Sequence, residues 1–314
     1  MLTPERTSWM DHQSAQQLLR KAELPARHHI GSGMEGHVFR VSDDTVAKVW
    51  FTAPSDHVRK LQAFYAAVLE LRLPFMTPII DDVLDIDGAT VSVDAMLAGT
   101  PLDTFIPRSD PDPPDIAIDA VMQVLAALRA TELGPDAPAL SMVGVDAPTG
   151  PSTRRLLEVA HQKVARYGDQ LRAVVPGFDG IWKSVQAALV QPSTPGHYAV
   201  HGDLVPPNIL LGEDRTVSAV LDWGFLSHAG DPVFETAVTS GIFDMYGPHH
   251  RRIDDVLMER CVADLGDDRE RLSVYRALYA IMTSHAYAED GRDGHFAWCV
   301  AMLNRLDVRA AVGA

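Results

Sequence analysis

Within Tyr198–Leu211, YAVHGDLVPPNILL, an apolar approach leads into His201-Gly202-Asp203, and Asn208 follows on the same short loop. Phosphoryl transfer from a nucleoside triphosphate needs such a pair: a carboxylate to orient the attacking hydroxyl and accept its proton, and a hard oxygen ligand for magnesium. In H-x-D-L-x-x-x-N, Asp203 supplies the base and Asn208 the metal ligand. Asn208 and Asn304 are the chain's only asparagines, so an accidental match is on the order of one in a thousand. Ile209–Leu211, the turn GEDR and Thr216–Leu221 then read as a hairpin that delivers Asp222-Trp223-Gly224. An aspartate after a strand is more often a turn residue. Following Asp203 and Asn208, Asp222 fits the second metal-binding carboxylate that the chemistry requires.

A glycine run, IGSGMEGHVFRV over Ile30–Val41, admits either a dinucleotide turn or a flap over phosphates. Its flanks decide. HVFRV alternates, SDDT turns, and TVAKVWF alternates again, so the glycines lie between β-strands. A dinucleotide turn must instead open a helix, on whose N-terminus the pyrophosphate rests. Gly31, Gly33, Gly36 and Val38 fit G-x-G-x-x-G-x-V, and Lys48 lies on the following strand, where it can reach the α- and β-phosphates. A lone strand lysine is usually a solvated side chain. In this chain the only lysines are Lys21, Lys48, Lys60, Lys163 and Lys183, which favours the phosphate role here.

The elements that must position these groups fall into two textures. Met10–Ala22 and Ser55–Leu71 have helical periodicity, and strands are expected around Thr77–Ile86 and Ala89–Met96, joined at IDGA. From Pro101 the chain becomes helical. Helices are expected at Ile116–Leu133, Thr153–Val175, Phe178–Leu189, Pro232–Phe243, Arg252–Asp264, Arg269–Ala288 and His295–Ala310, with loops at Arg108–Pro114 and Gly134–Pro151. The expected class is α+β, with a small antiparallel-sheet lobe at 1–97 and a larger helical lobe at 98–314.

Together these residues resemble the aminoglycoside phosphotransferase and choline kinase superfamily, whose fold is similar to that of protein kinases. HGDLVPPNILL and VLDWG carry the resemblance most specifically, AGDPVFETA and DAMLAGTPL less so. It implies Asp203 as catalytic aspartate, Asn208 and Asp222 as magnesium ligands, and Lys48 as phosphate clamp. It also implies a glycine loop over ATP or GTP and backbone contacts from Met96, Leu97 and Ala98 to the base. His201 would brace the catalytic loop. The family's helix glutamate that pairs with the clamp lysine has no plain counterpart, since Ser55–Leu71 offers only Glu70, near its end, and Gln62 more centrally. Glu235 stands where the family more often has aspartate.

After Gly224 only FLSHAG precedes Asp231-Pro232, which reads as a helix N-cap and first-turn proline. A peptide-docking segment has no room there, so the expected acceptor is a small hydroxylated molecule, and a protein kinase is disfavoured. Acids in the helical half, including Asp231, Glu235, Asp244 and Glu289, are candidates to hold a cationic acceptor, although helix acids mostly face solvent. Tyr246, Trp298 and His249-His250 could wall a macrolide or peptide antibiotic, or simply pack. The leading expectation is O-phosphorylation of an antibiotic-like or amino-sugar hydroxyl. A metabolic kinase for choline, ethanolamine, homoserine or a sugar is one alternative, and nucleotide binding without turnover is another.

A net charge of −15 with no basic stripe argues against nucleic acid. No apolar run reaches a membrane-spanning length, and MLTPERTSWMDHQ lacks the pattern of a signal peptide, so the expected location is cytoplasmic, as a monomer or homodimer. Cys261 and Cys299 match no metal or redox spacing and are expected as buried thiols.

Overall fold

The computed structural model describes residues 10–107, 110–146, 152–190 and 196–313. Residues 1–9 and parts of the loops expected at Arg108–Pro114 and Gly134–Pro151 lie outside that set.

Five antiparallel strands build the N-terminal sheet: β1 (His28–Ser32), β2 (Gly36–Arg40), β3 (Thr45–Trp50), β4 (Ile80–Ile86) and β5 (Ala89–Ala95), in the order β1-β2-β3-β5-β4. Alternation gives the sheet two distinct faces. Phe39, Ala47, Val49 and Val91 pack on one face against Ala15 and Leu19 of helix α1 (His12–Lys21), which Asp11 caps by accepting from the Ser14 N–H at 2.7 Å. Lys48 points to the other face. It pairs across the sheet with Val38 on β2 and Ser92 on β5, and Val46 pairs with Asp94, so these side chains share the inner face. Helix α2 (Ser55–Leu69) packs beneath through Val58, Leu61, Phe64, Tyr65 and Val68.

The rest is mainly helical. Helices α3 (Asp115–Arg129), α4 (Ser152–Val174), α5 (Phe178–Ala188), α6 (Pro232–Ile242), α7 (His250–Leu265) and α8 (Arg269–Thr283) surround a continuous apolar core, with α8 at its centre, where residues Leu272 to Thr283 are all buried. Short strands carry the chemistry-bearing loops. β6 (Thr100–Pro101), β8 (Ile209–Leu211) and β9 (Val217–Val220) form one sheet, and β7 (Tyr198–Val200) with β10 (His228–Gly230) another. A parallel bridge from Met76 to Ala219, reinforced by the Met76 N–H donating to Ser218 O at 2.8 Å, ties the N-terminal part to this hairpin.

Two helical expectations need correction. The periodicity of Arg269–Ala288 overruns the helix, which stops at Thr283 with Ser284 as C-cap. His295–Ala310 is two helices, α9 (Gly294–Leu303) and α10 (Leu306–Ala311). The break falls at Arg305, whose backbone is extended (φ −64°, ψ 138°) and whose guanidinium is drawn to Asp254 and Asp307. No helix among the described residues is long and apolar enough to cross a membrane.

Candidate active site

β7 leads directly into His201-Gly202-Asp203. His201 is fully buried, and burial pushes its imidazole down to about 4, so it is neutral. Its bonds assign the tautomer: Nε2–H donates to Leu221 O at 2.7 Å, while Nδ1 accepts from the Asp203 N–H at 3.2 Å. One ring thus pins Asp203 to the residue preceding Asp222. Gly202 takes φ +77°, and a Cβ there would lie 2.5 Å from Leu226 Cβ, so only glycine fits this turn. Ser227 adds a second tie, accepting from the Gly224 N–H at 2.9 Å and donating to His201 O at 2.7 Å.

Asn208 ends a 3-10 turn over Pro206–Asn208 and donates its amide N–H to Asp203 O at 3.0 Å. Its side-chain oxygen stays available as a hard ligand. Asp222 sits at φ +62°, a left-handed conformation uncommon outside glycine, and its exposed carboxylate is near enough to Asp203 to act on it electrostatically. The Tyr65 hydroxyl on α2 holds this turn by donating to Trp223 O at 3.0 Å.

Electrostatics mark the same place. Burial, with the negative charges of Asp222, Glu235 and Glu35 adding to it, raises the half-buried Asp203 carboxyl to about 7. The exposed Asp222 carboxyl is also raised, by desolvation first, with Lys48 opposing and Glu35 adding. The charge of Asp222 adds to the cost of ionising Asp203, a cost that a nearby cation would relieve. The residues present fit magnesium. Asn208 and Asp222 offer hard oxygens, and magnesium keeps most of its remaining positions for water and phosphate. Among the described residues no group of three or more His, Cys, Asp or Glu could hold a metal ion.

Lys48 reaches Glu35 at 2.6 Å and lies over the Trp50 ring at 3.7 Å. Its carboxylate partner therefore comes from the glycine loop itself. Glu70 is the exposed C-cap of α2, and Gln62 donates to Ile80 O at 2.9 Å. A Cβ on Gly36 would collide with the Val49 carbonyl, whereas Gly31 and Gly33 face open space. Of the expected base-contacting segment, the Met96 N–H donates to Asp44 O at 2.8 Å and Ala98 O accepts from Ser218 Oγ at 2.8 Å.

Asp203 lines a cavity of about 580 Å³. Tyr246, Tyr279, Tyr287 and Phe243 supply aromatic surface, and Asp103, Asp110 and Asp244 supply carboxylates. Of the four acids expected near the acceptor, only Asp244 lines it. Asp231 caps α6, accepting from the Val233 N–H at 3.0 Å and the Tyr275 hydroxyl at 2.7 Å. Glu235 accepts from the N–H groups of His201 (2.7 Å) and Gly202 (2.8 Å) and from Thr239 Oγ (2.9 Å), bracing the catalytic loop from behind. Glu289 pairs on the exterior with Arg166 and Tyr167. Trp298 is buried against Tyr279 and His295, while His249 joins the cavity wall. Another hollow of about 520 Å³, lined by Lys183 and Arg309, contains none of the chemical groups.

The family model for APH, described as a phosphotransferase enzyme family, matches residues 28–275. The chain belongs to the APH phosphotransferase family. It is a phosphotransferase enzyme with a small-molecule kinase fold. Solved structures similar to this phosphotransferase include aminoglycoside phosphotransferase APH(3'')-Id from Streptomyces rimosus, at 21% identity over 87% of this chain and 99% of that one, TM-score 0.55. Macrolide 2'-phosphotransferase MphH from Brachybacterium faecium matches at 18% identity over 92% and 97%, TM-score 0.52. The GDP and kanamycin complex of APH(2")-IIia matches at 15% over 91% and 97%, TM-score 0.60. At these identities the shared property is the fold. No curated protein matches the chain.

Proposed function

We propose that this APH-family phosphotransferase moves the γ-phosphoryl group of a nucleoside triphosphate onto a hydroxyl of a small, cationic, partly apolar molecule such as an antibiotic or amino sugar. The observation that carries this reading is the placement of Asp203 in the wall of a cavity rich in tyrosine and carboxylate. The nucleotide would lie between the glycine loop and the Met96–Ala98 segment, where the two proposed lobes, 1–97 and 98–314, meet. Lys48 would exchange Glu35 for phosphate oxygens. Asn208 and Asp222 would hold magnesium, which, when bound, offsets charge on the phosphates. Asp203 orients the acceptor hydroxyl and takes its proton as the new oxygen–phosphorus bond forms and the nucleoside diphosphate leaves.

The acceptor's character follows from the walls. Tyrosine faces and prolines cover apolar surface and attract cations, and Asp103, Asp110 and Asp244 favour an amine. Mass spectrometry of pooled aminoglycosides, macrolides, cyclic peptides, amino sugars, choline and homoserine, incubated with protein and Mg·ATP, tests it. An amine-bearing compound should gain one phosphoryl group with the wild type and none with Asp203→Asn. Phosphorylation confined to neutral cyclic peptides, with no amine-bearing compound modified, would overturn the acceptor class.

A further inference from the structure

We propose that Asp94 selects the base of the phosphoryl donor, accepting a hydrogen bond from the 6-amino group of adenine and disfavouring the 6-oxo group of guanine. The inference rests on the nucleotide placement proposed above. Asp94 lies near the end of β5, opposite Val46 on β3, on the same inner face as Lys48. It is two strand residues from Ser92, the residue opposite Lys48, and thus about 7 Å from the phosphate-binding position towards Met96–Ala98. That is the depth of a base rather than of a phosphate.

Its carboxylate is fixed in advance. Trp50 Nε1–H donates to Ser92 Oγ at 3.1 Å, and Ser92 Oγ donates to Asp94 Oδ2 at 3.3 Å. Oδ1 is buried and has no hydrogen-bond partner among the described residues. Burial raises this carboxyl to about 7, so above that pH Oδ1 is an open acceptor, costly to leave unpaired unless a donor arrives. The nearby Lys48 is committed to Glu35 at 2.6 Å, and Lys48 and Asp94 form no ion pair. Carboxylate recognition of guanine uses both oxygens, one for N1–H and one for the 2-amino group. Ser92 holds Oδ2 and leaves Oδ1 as the open acceptor, which adenine's 6-amino group can satisfy, whereas guanine's 6-oxo group would meet the ionised carboxylate with like partial charge.

Equilibrium affinities of the full chain at about pH 8.5, where the Asp94 carboxyl is ionised, for Mg·ATP, Mg·GTP and the magnesium complex of purine riboside triphosphate, which lacks a 6-substituent, test the proposal. The wild type should bind ATP at least about tenfold more tightly than either of the others. Asp94→Asn, whose amide can also donate to a 6-oxo group, should bring ATP and GTP within about threefold of each other. Ser92→Ala, which releases the carboxylate from its support, should lower the ratio at least about threefold and serves if the first variant does not fold. A wild-type ratio near one or reversed, or a ratio unchanged in a folded variant, overturns the role of Asp94 alone. Failure of the wild type to bind any of the three nucleotides overturns the proposed function and this inference together.

Discussion

The charge of Asp203 is set by its burial and by the acids around it. Its carboxyl is raised to about 7 by burial and neighbouring acids, so between about pH 4 and 7 the native state holds a proton that the unfolded chain has lost. Stability linked to this group therefore falls as pH rises through that window. Asp203→Asn removes the cost, and its thermal midpoint relative to wild type should climb between pH 5 and pH 8 in metal-free buffer. Parallel midpoint curves for the two proteins would contradict it. The placing of Asp203, Asn208 and Asp222 on one loop and hairpin was legible in the sequence because it depends on short, contiguous spacing. The partner of Lys48 was not, because Glu35 reaches it only once the glycine hairpin folds back over β3. Asp231 is the N-cap that the sequence indicates, but neither it nor Glu235 lines the cavity, because helix spacing does not say which carboxylates are spent on the backbone of neighbouring loops.

At the scale of elements, the site is a set of loops pinned to one another by a few buried bonds. α2 contributes no acid to the lysine; it contributes Tyr65, which clamps the Asp222-Trp223-Gly224 turn. Because Asp222 is held at a positive φ, the turn depends on such support. Tyr65→Phe should cost about 1 kcal/mol in urea unfolding and weaken magnesium-dependent nucleotide binding several-fold. Unchanged affinity would show that the turn holds itself. Strand and helix positions followed from periodicity, but helix ends did not. At the split Arg305 pairs with Asp254, about fifty residues earlier, a contact that no local pattern encodes.

At the scale of the whole molecule, the helical part is locked by a buried cluster in which Asp254 on α7 pairs with Arg276 on α8 and with Arg305. Arg276 is 2% exposed, and its Nη1 already lacks a partner among the described residues. Asp254→Ala strands that cation and should cost about 3–5 kcal/mol in chemical denaturation. A loss below about 1 kcal/mol would mean the cluster contributes little. The α+β architecture was legible because the change from alternating to helical texture near Pro101 is abrupt. The acceptor cavity was not, since its wall draws on segments as distant as Asp103, Tyr246 and Tyr287.

In the proposed reaction Asp203 acts on the acceptor hydroxyl and not on the nucleotide. The most direct test compares Asp203→Asn with wild type in two readouts, the rate of acceptor phosphorylation and the affinity for Mg·ATP. The rate should fall about 10²- to 10⁴-fold while nucleotide affinity stays within about threefold. A variant that transfers phosphate at nearly the wild-type rate, or one that loses ATP binding in step with activity, would contradict the assignment.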